Sequence, residues 1–389
     1  MKTNFIYILG MVCLSGTVSA QTTVNYTEFE QKVLDYSQTL KQSVAQRTAM
    51  QKAMKAAKTA FFPAVDATGS YQYRINKYDM DFGGMAVPME HDSYSAEVGV
   101  AQPIYAGGSI YHTYKASQIQ SRIADKSVDL TTDNLIYAAE ASYWGTAAQK
   151  EMYQTMCQYV EIIGQLTKVL QDKYDDGYIS KTDLIQMQTR LKEAELQRSS
   201  SYQSYQIALQ NMNVLMGLEP DNEVGLLDSI FVELPLPAYI GADAALNVRP
   251  DYAISQLDVD YQKRQVSLAA AKYNPSLSIG FKETWGTQML NISGETMFNS
   301  NVYASVKLPL FHWGARFKST AAQKAILLGK QYALQDKQDQ ITKEVAKAWT
   351  SLTENTRQID IAKENCKLAE ENLDLNTFSY TEGKLTILD

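Results

Sequence analysis

The sequence predicts a mainly α protein with β: very long antiparallel helices joined to four amphipathic strands, built twice in tandem. Three observations carry that prediction. Motifs recur about 206 residues apart: Val100-x-x-Pro103-x-x-x-x-Gly108 returns as Val306-x-x-Pro309-x-x-x-x-Gly314. Likewise Tyr174-x-x-Gly177-x-x-Ser180-x-x-Asp183 returns as Tyr380-x-x-Gly383-x-x-Thr386-x-x-Asp389. Proline is absent between Pro103 and Pro220 and again after Pro309, and four stretches alternate apolar and polar with period two. Solenoid repeats run roughly 20–50 residues; this one is far longer and reads as a duplicated half-molecule.

Residues 1–20 read as a secretory signal: Lys2, an apolar run from Phe5 to Val18, then Val18-Ser19-Ala20 before Gln21. The run is shorter than the ~20 residues a membrane-spanning helix needs. Gly10-Met11-Val12 makes a poor lipobox for Cys13. Export leaves Cys157 and Cys366 in an oxidising setting. Both fall in helical segments of different halves, so small buried thiols are expected rather than a disulfide. The first helix opens at Thr27-x-x-Glu30, a capping box, and runs to Phe62 before Pro63.

The first strand alternates strictly: Val65, Ala67, Gly69, Tyr71, Tyr73 and Ile75 against Asp66, Thr68, Ser70, Gln72, Arg74 and Asn76. Tyr94, Ala96, Val98 and Val100 oppose Ser93, Ser95, Glu97 and Gly99 in the second. In the third, Leu277, Ile279, Phe281 and Trp285 oppose Ser276, Ser278, Lys282 and Thr284. Val302, Ala304, Val306, Leu308 and Leu310 oppose Asn301, Ser305 and Lys307 in the fourth. A soluble sandwich would use the same alternation. These strands, however, approach the ~9–11 residues of a tilted transmembrane strand, exceed the ~5–6 typical of globular sheets, and carry aromatics such as Tyr71, Tyr73, Tyr94 and Trp285 near their ends. Glu283 falls on the apolar phase, which places it near an interface or at a bulge. Four strands cannot close a barrel, and an open edge in lipid leaves unpaired amides, so copies of the chain must complete it. Eight, twelve or sixteen strands satisfy that requirement.

Gly108 to Tyr174 and Gly314 to Tyr380 are 67-residue proline-free runs, each ~100 Å long as one helix. Gly177 suits the left-handed position after the first run, and Ser180 can cap a return helix with Asp183 in its first turn. The seam Met152, Met156, Tyr159, Ile163, Leu166, Leu170 is expected to pack on Leu184, Met187, Leu191, Ala194, Tyr205, Ala208, Met212 and Leu215 as an antiparallel coiled coil.

At 389 residues, 45% hydrophobic and a net charge of −7, with no basic run, the chain does not read as a nucleic-acid binder. No nucleophile elbow or phosphate loop is present, so no enzymatic activity, cofactor or metal is expected. His91, His112 and His312 lie far apart in sequence and read as packing residues. A periplasmic coiled-coil adaptor would explain the helices but not four strands of membrane length.

The ordered set Ala56-Ala57-Lys58-x-x-x-x-Pro63, Gln102-Pro103-Ile104-x-x-Gly107-Gly108, Asn247-Val248-Arg249-Pro250-Asp251 and Ala269-Ala270-Ala271-Lys272-x-x-Pro275, with both Tyr-x-x-Gly tips, resembles the TolC-type outer-membrane efflux proteins. The likeness runs from about Tyr26 to Asp389. It implies a homotrimer with a trimeric α-barrel and a 12-stranded β-barrel, four strands per chain, in the outer membrane with a periplasmic helical extension. The implied function is the exit channel of a tripartite efflux pump or type I secretion system, partnered by a periplasmic adaptor and an inner-membrane RND or ABC transporter. By the same resemblance Tyr174, Gly177, Ser180, Tyr380, Gly383 and Thr386 would form adaptor-docking tips, and Asp183 and Asp389 a periplasmic constriction. Each Asp is equally a first-turn residue favoured by the helix dipole. The implied division is a first repeat over 21–217, an equatorial linker over 218–247 and a second repeat over 248–389. The second repeat lacks the return helix expected after Asp389. As written, the chain is therefore expected to trimerise less well than a version extended by that helix. The cargo is not legible.

Overall fold

The computed structural model describes residues 22–76, 79–88, 90–232, 235–287 and 295–381. The chain divides into two compact units, each drawing on both halves of the sequence: residues 1–37, 133–235 and 372–389 in unit 1, and residues 38–132 and 236–371 in unit 2. The signal segment lies outside the described residues.

Unit 1 begins with β1 (Thr22–Val24) and α1 (Tyr26–Tyr36). The cap of α1 is Asn25, whose side chain accepts the Glu28 N–H at 2.8 Å, so the expected cap at Thr27 is corrected by two residues. Asparagine outranks threonine as an N-cap and fixes the earlier start. The helix is interrupted at Ser37 and resumes in unit 2 as α2 (Gln38–Thr59), where one continuous helix was expected.

Unit 2 contains β2 (Ala64–Tyr73), β3 (Asp79–Phe82), β4 (Met85–Pro88) and β5 (Asp92–Ala106). Next comes α3 (Ser109–Asp175), 67 residues without a break, which passes from unit 2 into unit 1. In unit 1 it is followed by α4 (Lys181–Leu215) and β6 (Val224–Leu226). The second half gives unit 2 its α5 (Ala242–Val248), α6 (Pro250–Ala271), β7 (Ser276–Gly286) and β8 (Met297–Lys307). The last helix, α7 (Ala315–Thr381), is again 67 residues. The four long strands and two long helices are thus those the alternation and the proline-free runs predict.

β2, β5, β7 and β8 form one antiparallel sheet in that order. β8 stops at Lys307 opposite Ser276, so Leu308 and Leu310, expected inside the strand, fall beyond it. Pro309 supplies no N–H to continue the ladder. The Gly83-Gly84 turn, at φ 66° and 97°, closes the β3–β4 hairpin, to which the sequence reading assigned no element. Two successive positive φ angles define a type I′ hairpin turn.

The core of unit 1 sits where β1 pairs in parallel with β6 across about 200 residues of chain. Phe29, Val33, Tyr143, Met212 and Val224 close around it, with Tyr143 fully buried. Asp228 accepts the Tyr26 N–H at 2.7 Å and the Tyr143 hydroxyl at 2.8 Å, which ties the N-terminus to the linker. Burial, reinforced by the Asp228 carboxylate, pushes the Tyr143 phenol up to about 12. A pKa raised above the unfolded value of ~10 stabilises the fold fully below pH ~10 and is lost as pH climbs through about 12. Alkaline titration should therefore weaken unit 1 across that window, and Tyr143→Phe should flatten the slope. An unchanged slope, followed by tyrosine absorbance and circular dichroism, would assign the transition to another group.

The α3–α4 hairpin packs as expected but through a partly different stripe. Ile163 and Leu170 are buried against Leu184 and Met187, with Tyr174, Ile179 and Leu191 alongside. Tyr153 meets the rings of Tyr202 and Tyr205 at 5.2 and 6.3 Å. Met152, Tyr159 and Leu166, expected on this seam, are exposed. They sit one residue off, about 100° around the helix, and a 3–4 reading alone admits both stripes. Cys157 is half-buried and Cys366 exposed, both free, which corrects the expectation of two buried thiols. The cause at Cys366 is that its whole stretch of α7 is exposed in the single chain.

Candidate functional site: an amphipathic sheet and a capped helical tip

The register of unit 2's sheet aligns the apolar phase of all four strands on one face. Val65 lies opposite Val100, Val100 opposite Phe281, and Phe281 opposite Val302. Ala67, Val98, Ile279, Ala304 and Val306 extend the same face. Directly opposite residues project to one side of a sheet, so a single-residue slip in any strand would mix the faces. The other face is wet: Ser70 and Ser95 hydroxyls meet at 2.9 Å, and Glu97 accepts from Lys282 and Thr284, each at 3.1 Å. Gly280 lies there beneath Tyr303; a Cβ would come within 2.4 Å of that ring.

Glu283 stands on the apolar face opposite Ser300, whose hydroxyl donates to its carboxylate. The ladder is regular at that point, so the bulge alternative does not hold. The register shift lies instead between Pro103 and Tyr105, where proline cannot donate. It has a consequence the sequence reading missed. Tyr105 pairs with Leu277 and is thereby swung onto the apolar side.

Aromatic rows mark both ends of this face. At the hairpin end, Tyr71 lies opposite Tyr94, and the Tyr94 and Trp285 rings are 5.5 Å apart, with Phe298 opposite Trp285. Tyr73 stacks on His91 at 5.6 Å. All four aromatics singled out from the sequence therefore gather at one end. At the helix end, Tyr105, Phe62, Phe311 and Trp313 are exposed; of these the sequence reading named only Phe62, and that as the end of a helix. Their signal was proximity to Pro63, Pro103 and Pro309, where strands pass into helices. From Tyr94 to Tyr105 is roughly 36 Å along the strand, or about 28 Å at a ~40° tilt, close to the ~25–30 Å of a membrane's apolar band. Among the described residues no helix is long and apolar enough to cross a membrane, which bears only on helices.

The tip in unit 1 follows from its sequence residue by residue. Gly177, at φ 81°, donates its N–H to Tyr174 O at 2.9 Å, and Tyr178 donates to Lys173 O at 2.8 Å, the Schellman pattern. Ser180 then caps α4: its hydroxyl accepts the Asp183 N–H at 3.3 Å, and Asp183 accepts the Ser180 N–H at 3.2 Å. Asp183 is held as the far half of a capping box. A Cβ on Gly177 would meet nothing within 4 Å, so this backbone is open to approach. In the matching second tip, Tyr380 lies in the last turn of α7, while Gly383, Thr386 and Asp389 lie outside the described residues.

The histidines lie apart, His112 against Tyr111 and His312 against Tyr273, with His91 accompanying Tyr73. No group of three metal-ligating side chains occurs among the described residues. The Arg249-Pro250-Asp251 motif organises the start of α6: Arg249 grips Asp251 at 2.8 Å and Glu344 of α7 at 2.6 Å. Lys337 adds a contact to Asp251 at 3.5 Å. Burial works against the Asp251 charge, but Arg249 and Lys337 outweigh it and hold the carboxyl below the usual range.

A lipid-length amphipathic sheet running into ~100 Å helices defines a membrane-embedded β-segment with a helical extension. A family model for outer membrane efflux proteins matches residues 30–218 and 241–389, and the chain belongs to that family. It is accordingly an outer-membrane protein with a periplasmic helical portion. Alkaline protease secretion protein AprF of Pseudomonas aeruginosa is 22% identical over 278 residues, covering 69% of this chain and 57% of AprF. The match thus spans little more than half of that relative. The CmeC outer membrane channel of Campylobacter jejuni shares the fold with a TM-score of 0.79 at 16% identity, over 94% of this chain and 78% of CmeC. The outer membrane protein VceC of Vibrio cholerae does so at 0.77 and 16%, over 93% and 87%.

Proposed function

We propose that three copies of this chain close a 12-stranded barrel and form a passive outer-membrane exit channel for a tripartite efflux pump or type I secretion system. The observation that carries this reading is the sheet itself. It presents one apolar face, interrupted at Glu283, and among the described residues ends in two long unpaired edges, β2 and β8. An open edge in hydrocarbon costs several kcal/mol per unsatisfied amide, and pairing β8 of one copy with β2 of the next removes both edges. In this reading the energy for export would come from an inner-membrane RND or ABC transporter through a periplasmic adaptor. The Gly177 tip suits adaptor docking because its backbone is unobstructed.

Asp183 is proposed as part of a periplasmic constriction, with Asp389 as its counterpart. Reconstituted in planar bilayers, the protein should form pores that prefer cations, and Asp183→Asn should lower that preference several-fold while leaving trimers intact. Asparagine keeps an acceptor for the cap and removes only the charge. No conductance from well-folded trimers would reject the channel reading; anion preference would reject the cation preference, and unchanged selectivity in the variant would reject the role of Asp183.

A further inference from the structure

Unit 2 also holds a cavity of about 740 Å³ among α2, α3 and α6 whose charge opposes that of the chain as a whole. Lys115 and Arg122 of α3 and Lys263 and Arg264 of α6 line it, with Asp260 as the acidic member. In a chain of net charge −7, gathering four cations in one concavity reverses the sign locally. Asp260 is already engaged by Lys263 at 2.8 Å. Lys115 donates to Gln118 at 3.0 Å and lies 5.9 Å from the centre of the Tyr111 ring. Among the described residues, Arg122 and Arg264 have neither an ion-pair nor a hydrogen-bond partner. Asp125 lies one turn beyond Arg122 and is engaged instead by Gln51 at 3.4 Å.

Arg122 is exposed and Arg264 half-buried where they line this cavity, so both guanidiniums are open to a multivalent anion that enters it. Phosphate suits them best, because a guanidinium offers paired N–H donors in a rigid fork that matches two phosphate oxygens. Lys115, about two turns nearer than Arg122 to the start of α3, adds a third, point-like charge to the lining. We propose that this cavity binds a phosphate group, either on a soluble solute or on the headgroup of an anionic phospholipid. The proposal rests on unit 2 alone and holds or fails independently of the export reading.

The test uses the full-length protein in phosphatidylcholine nanodiscs. Pyrophosphate is titrated calorimetrically, and retention of phosphatidylglycerol is followed by native mass spectrometry. Arg122→Gln/Arg264→Gln should weaken one of the two probes at least tenfold. Lys192→Gln/Arg357→Gln removes the same charge from exposed ion pairs elsewhere and should change neither. Loss of pyrophosphate binding assigns the soluble source, and loss of phosphatidylglycerol retention assigns the lipid. Arg122→Lys/Arg264→Lys keeps the charge without the fork and should fall between. Should the double glutamine variant fail to fold by circular dichroism, Lys115→Gln alone should still weaken the responsive probe about threefold. Equal binding of both probes by wild type and folded variants, or no binding by wild type, overturns the proposal.

Discussion

Val302→Arg is expected to cost about 2–4 kcal/mol of membrane stability, the price of a cation at the bilayer midplane on the lipid side of a barrel. Val302 sits at the middle of the β7–β8 ladder opposite Phe281 and is 85% exposed in the single chain. Ser305→Arg is the control, because Ser305 pairs with the uncharged Ser278 on the wet face and its replacement should change stability by well under ~1 kcal/mol. Trimer yield in vesicles and urea unfolding of the inserted protein read the difference. Equal losses from both substitutions would mean that the apolar face is not the one toward lipid. A further consequence concerns Glu283, which already occupies the apolar face. Its position two residues from Trp285, in the hairpin-end aromatic row, and its hydrogen bond from Ser300 place that charge at an interface, where the cost is ~0–1 kcal/mol.

Gly107→Ala is expected to destabilise unit 2 by about 3 kcal/mol, the largest effect of any glycine replacement at the strand–helix junctions. Two costs add at this site. Gly107 holds φ 65°, a left-handed conformation that costs a residue with a Cβ about 1–2 kcal/mol. Its added Cβ would also stand 2.6 Å from the Ala271 carbonyl oxygen, which belongs to backbone and cannot swing aside. Such overpacking costs another ~1–3 kcal/mol. The duplication supplies an internal control. The counterpart of Gly107 one repeat later is Trp313, the sole described non-glycine residue at positive φ (49°). The left-handed turn alone is therefore tolerable. Gly314→Ala, with nothing within 4 Å, should accordingly show only the conformational cost. Thermal melts in detergent compare the two; equal shifts would show that the approach of Gly107 to Ala271 and Asn274 is not what closes this junction.

Much of the fold was legible because it rests on local rules. Period-two alternation located the four strands, the proline-free runs located both long helices, and Gly177 with Ser180 specified the turn between α3 and α4 to the residue. What was misread involved choices between neighbours. Asn25 and Thr27 can each cap a helix, and Met152 and Tyr153 each begin an apolar stripe on α3. The stronger cap decides at α1, and only the packed partner decides on α3. Of the candidate site, the aromatic row at Tyr71, Tyr94 and Trp285 was visible in the sequence. The second row was not, because Tyr105 falls on the wet phase until the bulge at Pro103 moves it across.

The sequence by itself determined that this chain has lipid-length amphipathic strands, extended helices and a duplicated plan, since each follows from periodicity and the chemistry of glycine and proline. Tertiary structure alone decided which strands are neighbours and that their apolar phases coincide in one face. It also brought Arg122 and Arg264, far apart in sequence, to a common cavity. The physical reason is that pattern within a segment reports its own hydrogen bonding and solvent contact, whereas register and charge clustering are properties of pairs of segments and exist only once those segments are packed.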